Sequence, residues 1–183
     1  MSGQPGAPAR ARPEQQTSGA AAGQSGALSV SPVSPVSPAL AAVVAEFTAL
    51  GQRDRLELLL DFSRELPAPP TRLSHEAGGA LERVAECQSP VYLAVELDDG
   101  PAGDGSRTVR LFFDAPPEAP TTRGFAGILH EGLDGCSAEQ VLATPVDVPD
   151  RLGLGAAISP LRLRGMAGML GRIKRRVRAE LAA

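Results

Sequence analysis

Residues 82 to 99 read ERVAECQSPVYLAVELDD, and the side chain there with the most chemistry to offer is Cys87. It stands on a turn entering an alternating run, with Glu86 before it and Pro90 three residues on. A side chain in that place can be presented to a visiting molecule, and the proline narrows the conformations of the turn. Its thiolate would serve as nucleophile in a persulfide carrier, a thiol hydrolase or a redox protein. What activates the sulfur separates the three. A hydrolase needs a base, and the only imidazoles are His75 and His130, neither in a recognisable catalytic signature. Glu86 disfavours a thiolate beside it, which suits a carrier whose partner supplies positive charge better than a self-sufficient nucleophile. The alternative is packing, since unpaired cysteine is among the most buried residue types.

The second cysteine, Cys136, precedes Ser137, a candidate helix cap, and there an apolar side chain commonly staples the helix start. His75, Cys87, His130 and Cys136 are separated by twelve, forty-three and six positions, without the close ligand pairs of a structural zinc site, so no metal site is expected.

The elements that must position Cys87 follow from the hydrophobic pattern. Leu40, Val43, Val44, Phe47 and Leu50 keep three-four spacing after Ser37 and Pro38, a capped helix start. Gly51 breaks the run, and Asp54 to Leu66 resumes it with Leu56, Leu59, Leu60 and Phe62 until PAPP ends it. Residues 71 to 86 are polar and read as an irregular connection. Val91, Leu93, Val95 and Leu97 then alternate with Tyr92, Ala94 and Glu96, and Val109, Leu111 and Phe113 alternate across the turn-rich DDGPAGDGS, which predicts a β-hairpin with a flexible tip. Helices return in RGFAGILHEGL, SAEQVLAT and LRLRGMAGMLGRIKRRVRAELAA. The order predicts an α+β fold, a small antiparallel sheet (a hairpin with room for a third strand) covered by helices.

Of 183 residues, those from 1 to 37 are rich in Gly, Ala, Ser, Pro and Gln, carry the repeat SPVSPVSP, and hold almost no large apolar side chains before Leu28. Such a segment buries too little surface to offset its ordering entropy, so a disordered tail is expected at 1–37 and one domain at 38–183. Net charge is -3, which gives no global reason to expect nucleic acid. The last helix is locally basic through Arg172, Lys174, Arg175, Arg176 and Arg178, yet it has no aromatic platform for bases, and its Met166, Met169, Leu170, Ile173 and Val177 suit packing on the domain better than a membrane surface. That face reads as solvated or as meeting an acidic protein surface. With no apolar run of about 18 residues and no signal-like start, a cytoplasmic protein with reduced thiols is expected.

At ECQSPVYLAVEL the chain resembles the SufE family of sulfur acceptors, whose motif is a Cys-Gln-Ser turn before a hydrophobic or aromatic strand. RGFAGIL is similar to that family's helix opening with a basic residue and glycine, and CSAEQVL to its capped segment. LGLGAAISPLRLRGMAGMLGRIKRRV is similar to its closing stretch with Ser/Thr-Pro-x-Arg. These four blocks keep the family's order from about Ala39 to Ala179. The chain departs from the pattern at Glu86, commonly glycine, and at Tyr92, commonly tryptophan. The resemblance implies a SufE/NifU-like fold and a sulfur-transfer accessory protein rather than a stand-alone enzyme. Cys87 would take a persulfide sulfur from a SufS-like, pyridoxal-phosphate-dependent cysteine desulfurase, stimulate its turnover, and deliver the sulfur to a SufB-like iron-sulfur scaffold. It implies no cofactor of the chain's own, the pyridoxal phosphate staying on the partner. Gln88 and Ser89 would hold the turn's backbone, and Arg162 or Arg123 would order the loop or meet the partner. Two alternatives are a desulfurase activator acting by contact alone and a cysteine-dependent hydrolase or redox enzyme.

Overall fold

The computed structural model describes residues 37–73, 81–99 and 106–183. The expected tail, apart from Ser37, the tip of the hairpin, His75 and the middle of the 71–86 connection lie outside the described residues.

Ser37 caps α1 (Pro38–Ala49), its hydroxyl accepting from Leu40 N at 3.0 Å and donating to Gly132 O, and Pro38 occupies the first turn where no amide partner is lost. Helix α2 (Gln52–Glu65) starts at Gly51 and ends just before Pro67. The two bury Leu40, Val43, Phe47, Leu59 and Phe62, with the Phe47 and Phe62 rings stacked 5.9 Å apart. Of the apolar positions expected inside, Leu60 is exposed, because α2 turns the Leu59 and Phe62 side of its surface toward the next helix.

That helix, α3 (Pro120–Leu133), is buried continuously from Gly124 to Leu129 and packs on α1 and α2, on the sheet and on the last helix. Glycine is required at its contact with α2: a Cβ at Gly124 would lie 2.4 Å from Leu59 O, and one at Gly127 2.3 Å from Phe62 O. The backbones meet where no side chain fits.

The sheet is antiparallel, in the order β1 (Glu82–Arg83), β2 (Tyr92–Asp99), β3 (Arg107–Asp114). Leu93 faces Phe113, Val95 faces Leu111 and Leu97 faces Val109, so the alternating apolar residues of both long strands share the face under α3 and the last helix. The third strand is β1, in a segment expected to be irregular; two residues are too few to show alternation. On the other face Ala94, Tyr92 and Phe112 gather with Leu73 and Leu81 in a smaller apolar cluster. The outer edge of β3 is sealed by the chain leaving α3, through Val109 N to Cys136 O, Gly135 N to Val109 O and Leu111 N to Asp134 Oδ1, each 2.8 Å.

Ser137 opens α4 (Ala138–Ala143) with a reciprocal capping box to Gln140, and Cys136 beside it is half-buried against the core. After the short α5 (Val148–Arg151) comes α6 (Pro160–Leu181), which buries Met166, Met169, Leu170, Ile173 and Val177, all five residues expected on its packing face. Lys174 is buried too, its ammonium donating to Thr144 O at the end of α4. No described helix is long and apolar enough to cross a membrane.

Candidate functional site

Between β1 and β2 the chain makes a closed loop whose two ends are joined by Val84 N donating to Val91 O at 2.8 Å. Both valines are fully buried and anchor the loop to the core. Cys87 N reaches back to Val84 O at 3.2 Å and tightens the turn. Around it Glu86, Gln88 and Pro90 are exposed, but Cys87 is only 7% exposed. The thiol sits on the expected turn but points inward, because the loop folds onto α6 and Sγ meets Gly165 O at 3.8 Å.

The sulfur lines a small cavity of about 60 Å³, large enough to admit water. Its walls are loop residues 86–89, Thr122 and Phe125 of α3, and Leu161, Arg162, Gly165 and Met169 of α6. Three candidates read from the sequence, Gln88, Ser89 and Arg162, thus share one cavity with Cys87. Among the described residues the loop's closing hydrogen bonds are main-chain ones, not bonds from the Gln88 or Ser89 side chains. Arg162 stands in the exposed first turn of α6 at the rim of the cavity.

Arg123 lies elsewhere. It donates to Ser63 O at 2.7 Å, Ala115 O at 2.7 Å and Leu66 O at 2.9 Å, tying the end of α2 and the end of β3 to the start of α3. His130 is on α3 and does not line the Cys87 cavity.

The electrostatics of the thiol are set by its neighbours. Burial, and then the Glu86 carboxylate, push the Cys87 thiol up to about 11, with Arg172 opposing. Glu86 is itself held below the usual carboxylate range: burial pushes it up, but a backbone hydrogen bond and the guanidinium groups of Arg172 and Arg175 outweigh that. Arg172 donates to Glu82 and, at 2.9 Å, to Glu86; Arg175 reaches Glu86 at 3.3 Å and Arg176 lies 4.0 Å from Glu82. Three cations of the basic helix are therefore engaged with the segment carrying Cys87. Sequence reasoning missed this role, because the partners lie almost ninety residues apart. The available signal was a pair of glutamates four apart, Glu82 and Glu86, ahead of the cysteine and three arginines on a helix notched by glycine.

A thiol in a small cavity, on a loop hung from a sheet and covered by a C-terminal helix, is the arrangement to compare with known proteins. The family model for SufE, described as an Fe-S metabolism associated domain, matches residues 41–177. The chain belongs to the SufE family. The SufE domain thus takes in every described element, with only the ends of α1 and α6 outside the match. It is 55% identical over 139 residues to two uncharacterized SufE-like proteins of Mycobacterium tuberculosis, the match covering 76% of this chain and 91% of each relative. An uncharacterized SufE-like protein of Synechocystis is 25% identical over 127 residues, 69% of this chain and 72% of the relative. The solution structure of a hypothetical protein from Thermus thermophilus superposes with a TM-score of 0.68 at 38% identity, covering 81% of this chain and 99% of that one. The α+β architecture is that of a SufE-like fold, and membership assigns the chain to Fe-S metabolism.

Proposed function

We propose that the protein is a sulfur carrier in which Cys87 accepts the terminal sulfur of a persulfide held by a pyridoxal-phosphate-dependent cysteine desulfurase and passes it to an iron-sulfur cluster scaffold. The observation that carries this reading is the position of Cys87, alone at the tip of a loop and lining a small cavity with Arg162 at its rim, in a SufE domain. In the transfer the Cys87 thiolate attacks the terminal sulfur of the donor. A bond forms between Sγ and that sulfur, the bond between the two donor sulfurs breaks, and the donor cysteine leaves as a thiolate with the electron pair. The Cys87 proton passes to solvent or to the departing thiolate, and no oxidant is consumed. The pyridoxal phosphate stays on the donor throughout. Because a thiol pushed up to about 11 is almost wholly protonated at neutral pH, transfer needs a change of surroundings, such as the loop opening toward a positively charged donor site. Arg162 at the rim is the residue of this chain best placed to steer an anionic sulfur.

The test is intact-protein mass spectrometry after incubation with an active cysteine desulfurase, its pyridoxal phosphate and cysteine, without reductant. The expected result is a dithiothreitol-sensitive gain of one sulfur mapped to Cys87 and missing from Cys87→Ala. Stimulated desulfurase turnover that persists in Cys87→Ala, with no mass gain in either protein, would instead make the chain an activator by contact.

A further inference from the structure

We infer that Arg172 is the positioning residue of the Cys87 loop: by clasping Glu86, the neighbour of the thiol, it holds the loop shut on α6, and release of this clasp exposes the sulfur. The inference rests on Cys87 being the reactive thiol, but not on the donor or the fate of the sulfur.

The geometry of the clasp is unlike that of an ordinary surface ion pair. The Arg172 side chain is 15% exposed, the most sheltered cation among the ion pairs of the described residues. One terminal nitrogen goes to Glu82 in β1, which is fixed to the sheet, and the other to Glu86 in the loop, so the guanidinium straddles the hinge. Arg175 adds a second hold on Glu86. Beneath it α6 is notched at Gly168: a Cβ there would lie 2.5 Å from Glu86 Cβ, so the stem of the glutamate rests where a side chain would otherwise stand. The next notch, Gly165, receives Cys87, whose Sγ is 3.6 Å from where a Cβ would be.

Little else keeps the loop down. The Val84–Val91 hydrogen bond lies at its base, so residues 85–90 can swing about that base without breaking the β1–β2 ladder. The swing gives up the weak contact of Sγ with Gly165 O, the contacts of Cys87 in its cavity, and the ion pairs of Glu86. Nor is the closed state fully satisfied: Nε of Arg172 is buried without a hydrogen-bond partner, and opening would let water reach it. A partner carrying carboxylates would compete for Arg172 and Arg175 and so open the loop as it docks.

The experiment measures the rate at which iodoacetamide, an uncharged reagent, alkylates Cys87 in the full chain, mapped by peptide mass spectrometry in a Cys136→Ser background. The clasp predicts that Glu86→Gln and Arg172→Gln each raise the rate by about fivefold, with the double variant no faster than the faster single one. In the parent protein, about 1 M salt should raise the rate too, by less than the substitutions do, because it screens the exposed Arg175–Glu86 pair more than the sheltered Arg172–Glu86 one, and the double variant should not respond. Simple electrostatics at the sulfur predicts otherwise, because removing Glu86 favours the thiolate whereas removing Arg172 disfavours it. Arg172→Gln alkylated more slowly than the parent would overturn the proposal, as would a parent rate indifferent to salt. Should Arg172→Gln lose its melting transition, the salt response of the parent and its loss in Glu86→Gln still decide. No desulfurase is present, so a failed clasp and a failed sulfur transfer are read separately.

Discussion

Cys87 is held in two ways that pull chemistry and stability in opposite directions. Burial keeps the thiol protonated, pushed up to about 11 from an ordinary 9.0, so the fold favours the neutral form. Below pH 9 both folded and unfolded chains carry the proton and the preference is fully present. As pH rises from about 9 to about 11 the unfolded chain loses the proton while the native one keeps it, and stability falls. The loss should approach roughly 3 kcal/mol once pH has passed about 11, at about 1.4 kcal/mol per pKa unit. Denaturant unfolding of the parent and Cys87→Ala across that window should therefore converge as pH rises, and parallel curves would refute the assignment. The sequence pointed to this residue because cysteine is rare in the chain and stands on a turn. It could not show the thiol facing inward, since a turn offers both directions and the choice is made by α6, which supplies Gly165 O and the glycine notch.

Helices and strands were legible wherever periodicity was long. The α1, β2 and β3 patterns and the Ser137 cap were each written in local spacing, and the structure holds them. Strand β1 was not, because its two residues pair through a partner that sequence does not reveal. Equally hidden was the reason for glycine in α3, a helix whose propensity those residues weaken. A methyl at Gly127 would meet the backbone oxygen of Phe62 at 2.3 Å, so Gly127→Ala should separate α2 from α3 and cost about 2–4 kcal/mol. Gly171, whose Cβ would meet nothing nearer than Arg175 at 3.5 Å, makes the control: Gly171→Ala should be neutral or stabilise by up to about 1 kcal/mol. Thermal or urea unfolding of the pair checks the contrast, and equal effects would mean that helix propensity, not close approach, sets the choice.

Across the whole molecule, arginines do much of the joining. Arg123 closes α2, β3 and α3 around its guanidinium, and Arg55 likewise links the end of α1 to Gly153 O at 2.9 Å. Replacing Arg123 by Met keeps the stem and leaves three carbonyls to find other donors, a loss of about 2–3 kcal/mol. Because it lies away from the cavity, the alkylation rate of Cys87 should be unchanged in Arg123→Met; a changed rate would return Arg123 to the site. The sequence by itself determined the α+β class, the two opening helices, the paired strands, the family and the one thiol to watch, all of which rest on local spacing or on blocks of contiguous residues. Only the tertiary structure decided that Arg162 shares the cavity while Arg123 serves the frame, that the basic helix spends its charge on Glu82 and Glu86, and that Cys87 rests under cover. Those outcomes depend on which surfaces meet across eighty or more residues of chain, where charge and packing act through space and leave no period to read.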